Sequence, residues 1–369
     1  MKHSLPLVLI MFLCLQLAGC GQQPTVPTVK QPAAPDWPPA IGKVPLVTRA
    51  EPIEPMLDVG VVIFTPAPVP GGDEALSAVR DVESKLLATR LRRVLTRSGA
   101  WGAVRLLPDS SLLTPLEVSA TLLHSDGNDL VLRVRAVDAT GRIWINEALH
   151  DQTTEADYPI APDGDPFADL WHDIANRLAA QWSQLSHEER RAVLTVAELR
   201  YAASLAPQQF AEYLGERDGR RYAARLPAES DPMLKRIAAI RGSELMFIDA
   251  VDEQYVDLQQ SMSATYAAWC SATKARADWL ESYGERVARR DNDADAGSFA
   301  SLQSVYSTYR AVKVQEQDLF DYALGFRNEA VPTVMEYEGR AIELKGSLES
   351  RYRQWRALLA DIFRLEQGF

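Results

Sequence analysis

Hydrophobic and polar positions divide this chain into an N-terminal region with strand patterns and a longer region with helical patterns. The first pattern, from Asp58 to Phe64, is an apolar run rich in β-branched residues and predicts a buried strand. Apolar residues over 74–98 recur every three or four positions, which predicts a helix that ends at Gly99. Strand patterns return over 101–107 and in three alternating segments between 116 and 149.

The order of these predicted elements is β-α-β-β-β-β. A strong turn signal, Ser125-Asp126-Gly127-Asn128, separates two of the last strands. Such an order is typical of an α+β domain in which one helix covers a mostly antiparallel sheet. We therefore predict an α+β domain over residues 55–158.

From Pro166 to the C-terminus the apolar spacing is almost entirely helical. Residues 159–231 predict short helices, one of which is capped by Ser186 and has acidic residues in its first turn. Residues 232–369 predict an elongated all-α bundle, because their apolar stripes keep heptad-like spacing over many turns, as in antiparallel coiled coils. The long helices predicted in this bundle are 232–289, 298–327 and 332–365.

The first residues of the chain have the layout of a secretory signal. Lys2 gives a positive start, an apolar run extends over 5–17, and small residues lead to Cys20. The run is shorter than the roughly 20 residues that span a bilayer, which argues against a transmembrane anchor. A cleaved signal of a soluble secreted protein is the other alternative, but its usual A-x-A site is not evident.

The sequence Leu17-Ala18-Gly19-Cys20 resembles the lipobox of bacterial lipoproteins at all four positions. This resemblance implies that residues 1–19 are a signal peptide that is removed, and that Cys20 carries diacylglycerol and becomes the mature N-terminus. By the same resemblance, Gly21 favours transfer to the outer membrane of a Gram-negative host, where the protein would face the periplasm. The lipid bilayer is thus an expected partner, since two or more acyl chains hold a protein stably.

Residues 20–54 predict a proline-rich tether between the acylated cysteine and the folded region. Seven prolines between positions 21 and 49 interrupt any hydrophobic period, and such segments are semi-extended in the polyproline II form. A tether of this kind would let the folded region work at a distance from the membrane.

The predicted domain also resembles a group of small periplasmic domains. The matching pieces are the strand Val59–Phe64, the helix after it, the strand that ends at Pro108, and the turn 138–144. In topology they are similar to the amino-terminal domain of TolB, the curli secretion-channel lipoprotein and the lipoprotein activators of penicillin-binding proteins. Segments 101–105 and 225–234 look like sequences in uncharacterised proteobacterial outer-membrane lipoproteins, a resemblance that implies no known activity.

The net charge of the 369-residue chain is -11, and its basic residues are scattered rather than clustered in the sequence. An acidic chain without a basic stripe argues against nucleic acid as a partner and against binding to anionic lipids through a polybasic patch. Contact with the membrane is therefore expected to depend on the lipid at Cys20.

Cysteine usage excludes an intrachain disulfide in the mature chain. Cys14 lies in the predicted signal peptide and Cys20 is the predicted acylation site, which leaves Cys270. Its neighbours Tyr266 and Trp269 favour a buried helical position with an inert thiol, while intermolecular pairing and a reactive thiol are the alternatives.

Two motifs raise the question of a metal site. Residues 291–297 resemble the start of an EF-hand calcium loop, but Leu302 occupies the position of the bidentate glutamate, so a polar turn is favoured over a cation site. His187 does not start a zinc motif, because position 191 is Arg rather than a second His. We predict no metal, no cofactor and no catalytic residue.

An acidic segment over 157–169 is the candidate for general acid chemistry. It holds Asp157, Asp163, Asp165 and Asp169 between prolines. The favoured interpretation is a solvated connection between domains in which Asp165 caps the helix that follows.

Aromatic residues that fall off the helical stripes, such as Trp279 and Tyr306, are either core residues or anchors for a partner. With its anchor, tether and long helices, the sequence predicts a non-enzymatic lipoprotein that acts as a scaffold or docking module in an envelope assembly. One alternative is an activator or component of a cell-envelope enzyme, such as the peptidoglycan synthesis machinery. Another is an oligomeric helical adaptor or channel component that pairs with a protein partner or another copy through its long helices.

Overall fold

A mixed β-sheet with helices packed against it forms the first part of the structure. The computed structural model describes residues 37–69, 74–161, 164–228, 230–289, 333–337, 340–344 and 346–366, together with helical positions 303, 306, 307, 310, 313, 314 and 317. The strands of the sheet are β1 (Val59–Val62), β2 (Thr65–Pro66), β3 (Val104–Leu107), β4 (Leu116–Ser125), β5 (Asp129–Asp138) and β6 (Ile143–Gln152).

The strands lie in the order β3-β1-β4-β5-β6, and β2 continues the pairing with β4 beyond β1. Strands β4, β5 and β6 form the antiparallel meander that the turn signals predict. Strand β1, in contrast, runs parallel to both β3 and β4. The parallel pairing of β1 with β3 follows from the helix between them, because a helical crossover returns the chain in the same direction. The sheet is therefore mixed, with parallel pairs among β1, β2, β3 and β4 beside the predicted antiparallel meander.

Two helices cover the sheet where the sequence predicts one. The helices of the structure are α1 (Glu74–Ser98), α2 (Ala168–Gln184), α3 (His187–Leu205), α4 (Pro207–Phe210), α5 (Pro232–Arg289) and α6 (Leu348–Glu366). Helix α1 contacts β1 and β3, α2 contacts β6, and the two helices contact each other. The predicted apolar face of α2 is buried, from Leu170 to Trp182. Ser186 caps α3 as predicted and accepts a hydrogen bond from the Glu189 amide.

Helix α5 has the bounds that its hydrophobic pattern predicts, Pro232–Arg289. The described side chains of its predicted stripe are buried: Ile237, Ile240, Ile248, Val251, Tyr255, Met262, Tyr266 and Trp269. They pack against elements of the same chain, since α5 contacts α1, β3 and α6. The described part of the C-terminal region is therefore helical but joined to the sheet, and a separate long coiled-coil bundle is not confirmed.

The predicted helix over 332–365 is wrong in its first half. Strands β9 (Thr333–Tyr337) and β10 (Arg340–Leu344) form an antiparallel hairpin there, and α6 begins only at Leu348. Valine, tyrosine and isoleucine favour strands, and Gly339 falls between the two paired segments in the sequence. The middle helix predicted over 298–327 lies almost entirely outside the described residues.

A second hairpin replaces part of the loop predicted between Gly215 and Asp231. Strands β7 (Leu214–Arg217) and β8 (Arg220–Ala223) pair in an antiparallel register. Asp218 and Gly219 connect them with φ angles of 53° and 72°. Two successive residues with positive φ are what a two-residue hairpin turn of type I′ requires, and Asp-Gly supplies them well.

Residues 37–54, which we call the strap, lie against the folded region rather than forming a free tether. The Ile41 amide donates to the His150 carbonyl on β6 at 2.8 Å. The Val44 amide donates to Asp169 Oδ1 on α2, also at 2.8 Å. Prolines remove some donors from this segment, but the remaining amides find acceptors on β6 and α2. The described part of the predicted tether is therefore docked, within the unit Trp37–Phe369.

Candidate functional site

A polar cavity of about 480 Å³ opens on the face of the sheet where the polar residues of β4 and β5 lie. Side chains from β4, β5, α3, β8 and α6 line it, together with the loop before β4. Four of the lining residues are arginines: Arg135, Arg200, Arg221 and Arg356. We call this cavity the arginine pocket.

Two of the arginines are held by neighbouring carbonyl groups in the turn between β5 and β6. Arg200, near the end of α3, donates from Nη1 to the Ala139 carbonyl oxygen at 2.9 Å. The backbone amide of Arg221, on β8, donates to the Thr140 carbonyl oxygen at 2.8 Å. The β7–β8 hairpin is thus fixed at this turn, and its second strand carries Arg221 to the pocket wall.

The other two arginines come from the sheet and from the C-terminal helix. Arg135 lies on β5 at an exposed position that alternates with buried Val134 and Ala136, as a strand with one covered face requires. On α6, Arg356 Nε lies 3.1 Å from Oε1 of the buried Glu244. Four elements that are far apart in the sequence therefore bring their guanidinium groups to one cavity.

The negative charge available to these arginines is small. Glu117 lines the pocket, and its carboxylate accepts hydrogen bonds from Ser110 Oγ at 2.6 Å and from the Ser111 amide at 3.0 Å. Asp138 is buried, and its carboxylate accepts from the Thr140 amide and from Trp144 Nε1, both at 2.9 Å. The turn and the tryptophan thus engage both oxygen atoms of Asp138.

Electrostatic repulsion between two of the arginines is evident at Arg200. Burial and the nearby charge of Arg221 lower the pKa of Arg200, and Glu117 and Asp138 only partly offset this effect. Within the described part of the chain, the guanidinium groups of Arg135 and Arg221 form no hydrogen bond or ion pair. The pocket therefore holds more positive charge than its own carboxylates neutralise.

This arrangement suits the binding of an anion. A guanidinium group keeps its proton at all ordinary pH values and presents a rigid set of N–H donors to carboxylate or phosphate oxygens. The lining residues include the hydroxyl side chains of Ser110, Ser111 and Thr114, but no His, Cys or Lys is among the described ones. Donors with fixed charge bind and orient a ligand, whereas proton transfer needs a group that titrates near the working pH.

The predicted lipid-attachment site and lipobox, Leu17-Ala18-Gly19-Cys20, lie outside the described residues, as does the EF-hand-like segment 291–297. Among the residues that are described, no group of His, Cys, Asp and Glu side chains could hold a metal ion. His187 is the first residue of α3 and is exposed. In the same part of the chain, no helix has both the length and the apolar character needed to cross a membrane.

The acidic segment 157–169 does not converge on a site in its described residues. Asp157 accepts a hydrogen bond from the Thr154 amide at 2.7 Å. Partial burial raises the pKa of Asp157, but the hydrogen bonds from Thr154 lower it, and the net pKa is below the ordinary value. Asp169 instead accepts from the strap. Asp163 lies outside the described residues.

Asp165 is the clearest correction within that segment, because its side chain is only 8% exposed rather than solvated. Its Oδ1 atom lies 2.8 Å from Nη1 of the buried Arg90, and its Oδ2 atom accepts from Trp171 Nε1 at 2.7 Å. Oδ1 also accepts from the Phe167 amide at 3.0 Å, but α2 begins at Ala168 with Phe167 as its N-cap residue and no side-chain capping bond, so Asp165 does not cap the helix as predicted. An unpaired carboxylate would be costly here, so Arg90 and the two N–H donors explain how the charge is tolerated.

The remaining candidates from the sequence are placed as follows. Cys270 is fully buried, as favoured, and burial raises the pKa of its thiol far above the ordinary value. Tyr306 is exposed, and the side chain of Trp279 lies outside the described part of the chain. Complete burial is consistent with the inert thiol that the sequence favours.

Sequence reasoning missed the arginine pocket because its four arginines are separated by long stretches of chain and show no local cluster. The Asp218-Gly219 pair was an available signal for the β7–β8 hairpin, which carries Arg221. No sequence signal indicated which strand or helix the hairpin would meet. Comparison of the chain with protein-family models, with curated proteins and with solved structures finds no match.

Proposed function

We propose that this chain is a lipid-anchored binding module that holds an anionic group of a ligand or partner in the arginine pocket without changing it chemically. The lipobox-like sequence that ends at Cys20 supports the anchor and the periplasmic face of the outer membrane as its place. The pocket supports a binding role, since its charged lining groups are suited to hold an anion rather than to transfer a proton.

The observation that carries this proposal is the unpaired state of Arg135 and Arg221 within the described residues. Guanidinium groups form strong, often bidentate, hydrogen bonds with carboxylate and phosphate oxygens. An anion in the pocket would also relieve the repulsion that Arg221 exerts on Arg200. The chain as a whole has a net charge of -11, so a local excess of positive charge is opposite in sign to the rest of the protein. This contrast favours a dedicated anion site.

The same observation favours a docking module over the alternatives. An activator of an envelope enzyme and an oligomeric adaptor have no comparable feature among the described residues. The apolar stripe of α5, which a coiled coil with another copy would use, is covered by the same chain from Ile237 to Trp269. If long helices pair between two copies of the chain, the pairing must therefore use residues outside the described part.

Thermal unfolding of the detergent-solubilised protein tests the binding role. We expect sodium phosphate or citrate, added at constant ionic strength, to raise the melting temperature through binding to the folded state. Arg221→Ala should lose most of this increase. Arg220→Ala, which removes the same charge from the neighbouring position of β8 outside the pocket lining, should retain it. Equal responses of the two variants would contradict the proposed site.

Cell fractionation tests the anchor separately. Cys20→Ser removes the thiol that the lipobox resemblance marks for acylation, so we expect the variant to leave the membrane fraction. Retention of the variant in the outer membrane would contradict lipid anchoring and leave the pocket proposal unaffected.

A further inference from the structure

The arginine pocket offers two kinds of polar group to a ligand. The Arg200 guanidinium and the Arg221 backbone amide donate to the adjacent carbonyl groups of residues 139 and 140. Glu117, fixed by Ser110 and Ser111, also lines the pocket. A ligand that contacts both kinds of group needs an anionic group for the arginines and hydrogen-bond donors for the carboxylate.

The number of acceptor oxygens favours a phosphate as the anionic group. Arg356 already pairs with Glu244, so Arg135, Arg200 and Arg221 face the carboxylates of Glu117 and Asp138 and keep an excess of positive charge. A monocarboxylate ligand would balance that formal excess but would offer only two oxygen atoms to three guanidinium groups. A phosphate monoester carries about -1.5 to -2 charges and three acceptor oxygens, one for each of these arginines.

Glu117 limits which groups the ligand can carry beside its anionic group. Ser110 and Ser111 each donate to the Glu117 carboxylate, but a carboxylate has about four lone-pair sites and can accept further hydrogen bonds. A second anionic group beside it would be repelled, whereas hydroxyl groups would donate to it. A polyanion such as a tricarboxylate is thus disfavoured relative to a carrier that has one phosphate and several hydroxyl groups.

The volume and lining of the pocket agree with a phosphate attached to a small polar molecule. Its volume of about 480 Å³ lies within the usual range for small-molecule sites. Among the described lining residues there is no aromatic ring, and the apolar ones, such as Leu112 and Val137, are aliphatic. A nucleobase would lack the stacking surface that such sites commonly provide.

We infer that the arginine pocket binds a phosphate monoester carried on a small hydroxylated group, with the phosphate between Arg200 and Arg221 and hydroxyl groups near Glu117. This inference rests on the proposed function and names the ligand class of the same site. The phosphate can belong to a free sugar phosphate or to the headgroup of a phosphorylated glycolipid, and both present the same chemistry to the pocket.

Isothermal titration of the full-length protein in detergent tests the inference with glucose 6-phosphate, glucose, inorganic phosphate, citrate and adenosine monophosphate as probes. We expect glucose 6-phosphate to bind at least tenfold more tightly than inorganic phosphate, glucose or citrate. Phosphatidylinositol 4-phosphate in the same micelles forms a further arm. Tighter binding in that arm than to glucose 6-phosphate would identify a membrane lipid as the source of the group.

Two variants and one control locate the binding. Arg221→Ala should weaken glucose 6-phosphate binding at least tenfold, and Arg220→Ala should leave it unchanged. Glu117→Gln should reduce the preference for glucose 6-phosphate over inorganic phosphate, because it weakens the acceptor for the hydroxyl groups and removes a charge that repels the anion.

The outcomes separate this inference from the proposed function. Equal affinity for glucose 6-phosphate and inorganic phosphate, or tighter binding of citrate or adenosine monophosphate, would overturn the ligand class while an anion site remained. Failure of every anion to bind would overturn both.

Discussion

The Nδ1 atom of His150 lies 3.0 Å from the carbonyl oxygen of Pro38, and the Nε2 atom of the same ring lies 2.7 Å from Oδ1 of Asp129. Each contact joins one ring nitrogen to an oxygen atom of its partner. One histidine therefore joins the strap to β5 from its position on β6. The strap carries the chain toward Cys20, so this contact lies on the path between the folded region and the proposed anchor.

We expect His150→Ala to loosen the strap. The substitution removes the ring contacts with the Pro38 carbonyl and with Oδ1 of Asp129, at a cost of about 1–3 kcal/mol in the free energy of unfolding. Hydrogen exchange of the Ile41 amide, which donates to the His150 carbonyl, should become faster. His187→Ala, at an exposed position on α3, serves as the control. Unchanged exchange at Ile41 would show that the ring does not hold the strap.

The carboxyl group next to this histidine predicts a dependence of stability on pH. Burial raises the pKa of Asp151 to about 7; the hydrogen bond from the Leu170 amide opposes the increase, and Asp169 and Asp165 add to it. The ordinary value in an unfolded chain is about 3.9. The folded state thus binds more protons between these two values, so the contribution of Asp151 to stability is complete below about pH 4 and is lost as pH rises to about 7.

Asp151→Asn should remove this dependence. At pH 8 we expect the variant to be more stable than the parent by on the order of 2–4 kcal/mol, because it no longer buries a charge. At pH 4 the two should differ little. Chemical denaturation at both pH values measures the effect, and Asp257→Asn, at an exposed position of α5, is the matched control. A gain of equal size at both pH values would contradict the assignment to this carboxyl group.

Hydrophobic periodicity predicted the local elements well where one face of an element is covered. The bounds of α5 and the buried stripe from Ile237 to Trp269 follow from it directly. The same period does not say what covers the stripe, and here the covering elements are α1, β3 and α6 rather than a second long helix. Val334 and Tyr337 fit the heptad spacing of a helix, yet they lie in a strand of a hairpin. Their strand preference outweighs the helical spacing.

The arginine pocket could not be predicted from the sequence for a related reason. Arg135 and Arg200 are far apart in the chain, and only the tertiary arrangement brings the end of α3 to the turn after β5. The scattered basic residues form no continuous basic stripe in the sequence. They did not exclude a local concentration in three dimensions, which depends on which faces of the elements meet.

Glu244 on α5 joins three elements and places one arginine of the pocket. Its carboxylate accepts from Tyr201 Oη at 2.8 Å and from Tyr352 Oη at 2.7 Å, and it pairs with Arg356. Glu244→Ala should destabilise the protein by about 3 kcal/mol, since it leaves buried hydroxyl groups without their acceptor and removes the partner of Arg356. Denaturant titration measures the loss, and Glu253→Ala on the exposed side of α5 should change stability little.

The same substitution should also affect the arginine pocket. Glu244→Gln keeps a carbonyl oxygen as an acceptor but loses the charge that holds Arg356, so we expect a smaller loss of stability together with altered anion affinity. Anion binding that is unchanged in a folded Glu244→Gln variant would show that Arg356 does not depend on this contact.

The turn between β4 and β5 approaches α5 at a glycine, which allows a direct test of how the sheet meets the long helix. Gly127 has a φ of 78°, and a Cβ atom there would lie 2.1 Å from the Cys270 carbonyl oxygen. Gly127→Ala should therefore strain the backbone and push the turn away from α5, with a loss of about 2–4 kcal/mol. Gly242→Ala is the opposite case, because this glycine lies inside α5 with nothing within 4 Å of the added Cβ.

We expect Gly242→Ala to stabilise the protein by about 0.5–1 kcal/mol, since alanine loses less conformational freedom than glycine when a helix forms. Thermal and denaturant unfolding of the two variants measure both effects on the same scale. Opposite signs for the two variants would support the close contact between the β4–β5 turn and α5. A neutral Gly127→Ala would mean that the turn can move away from Cys270 without cost, and that this part of α5 is not fixed to the sheet.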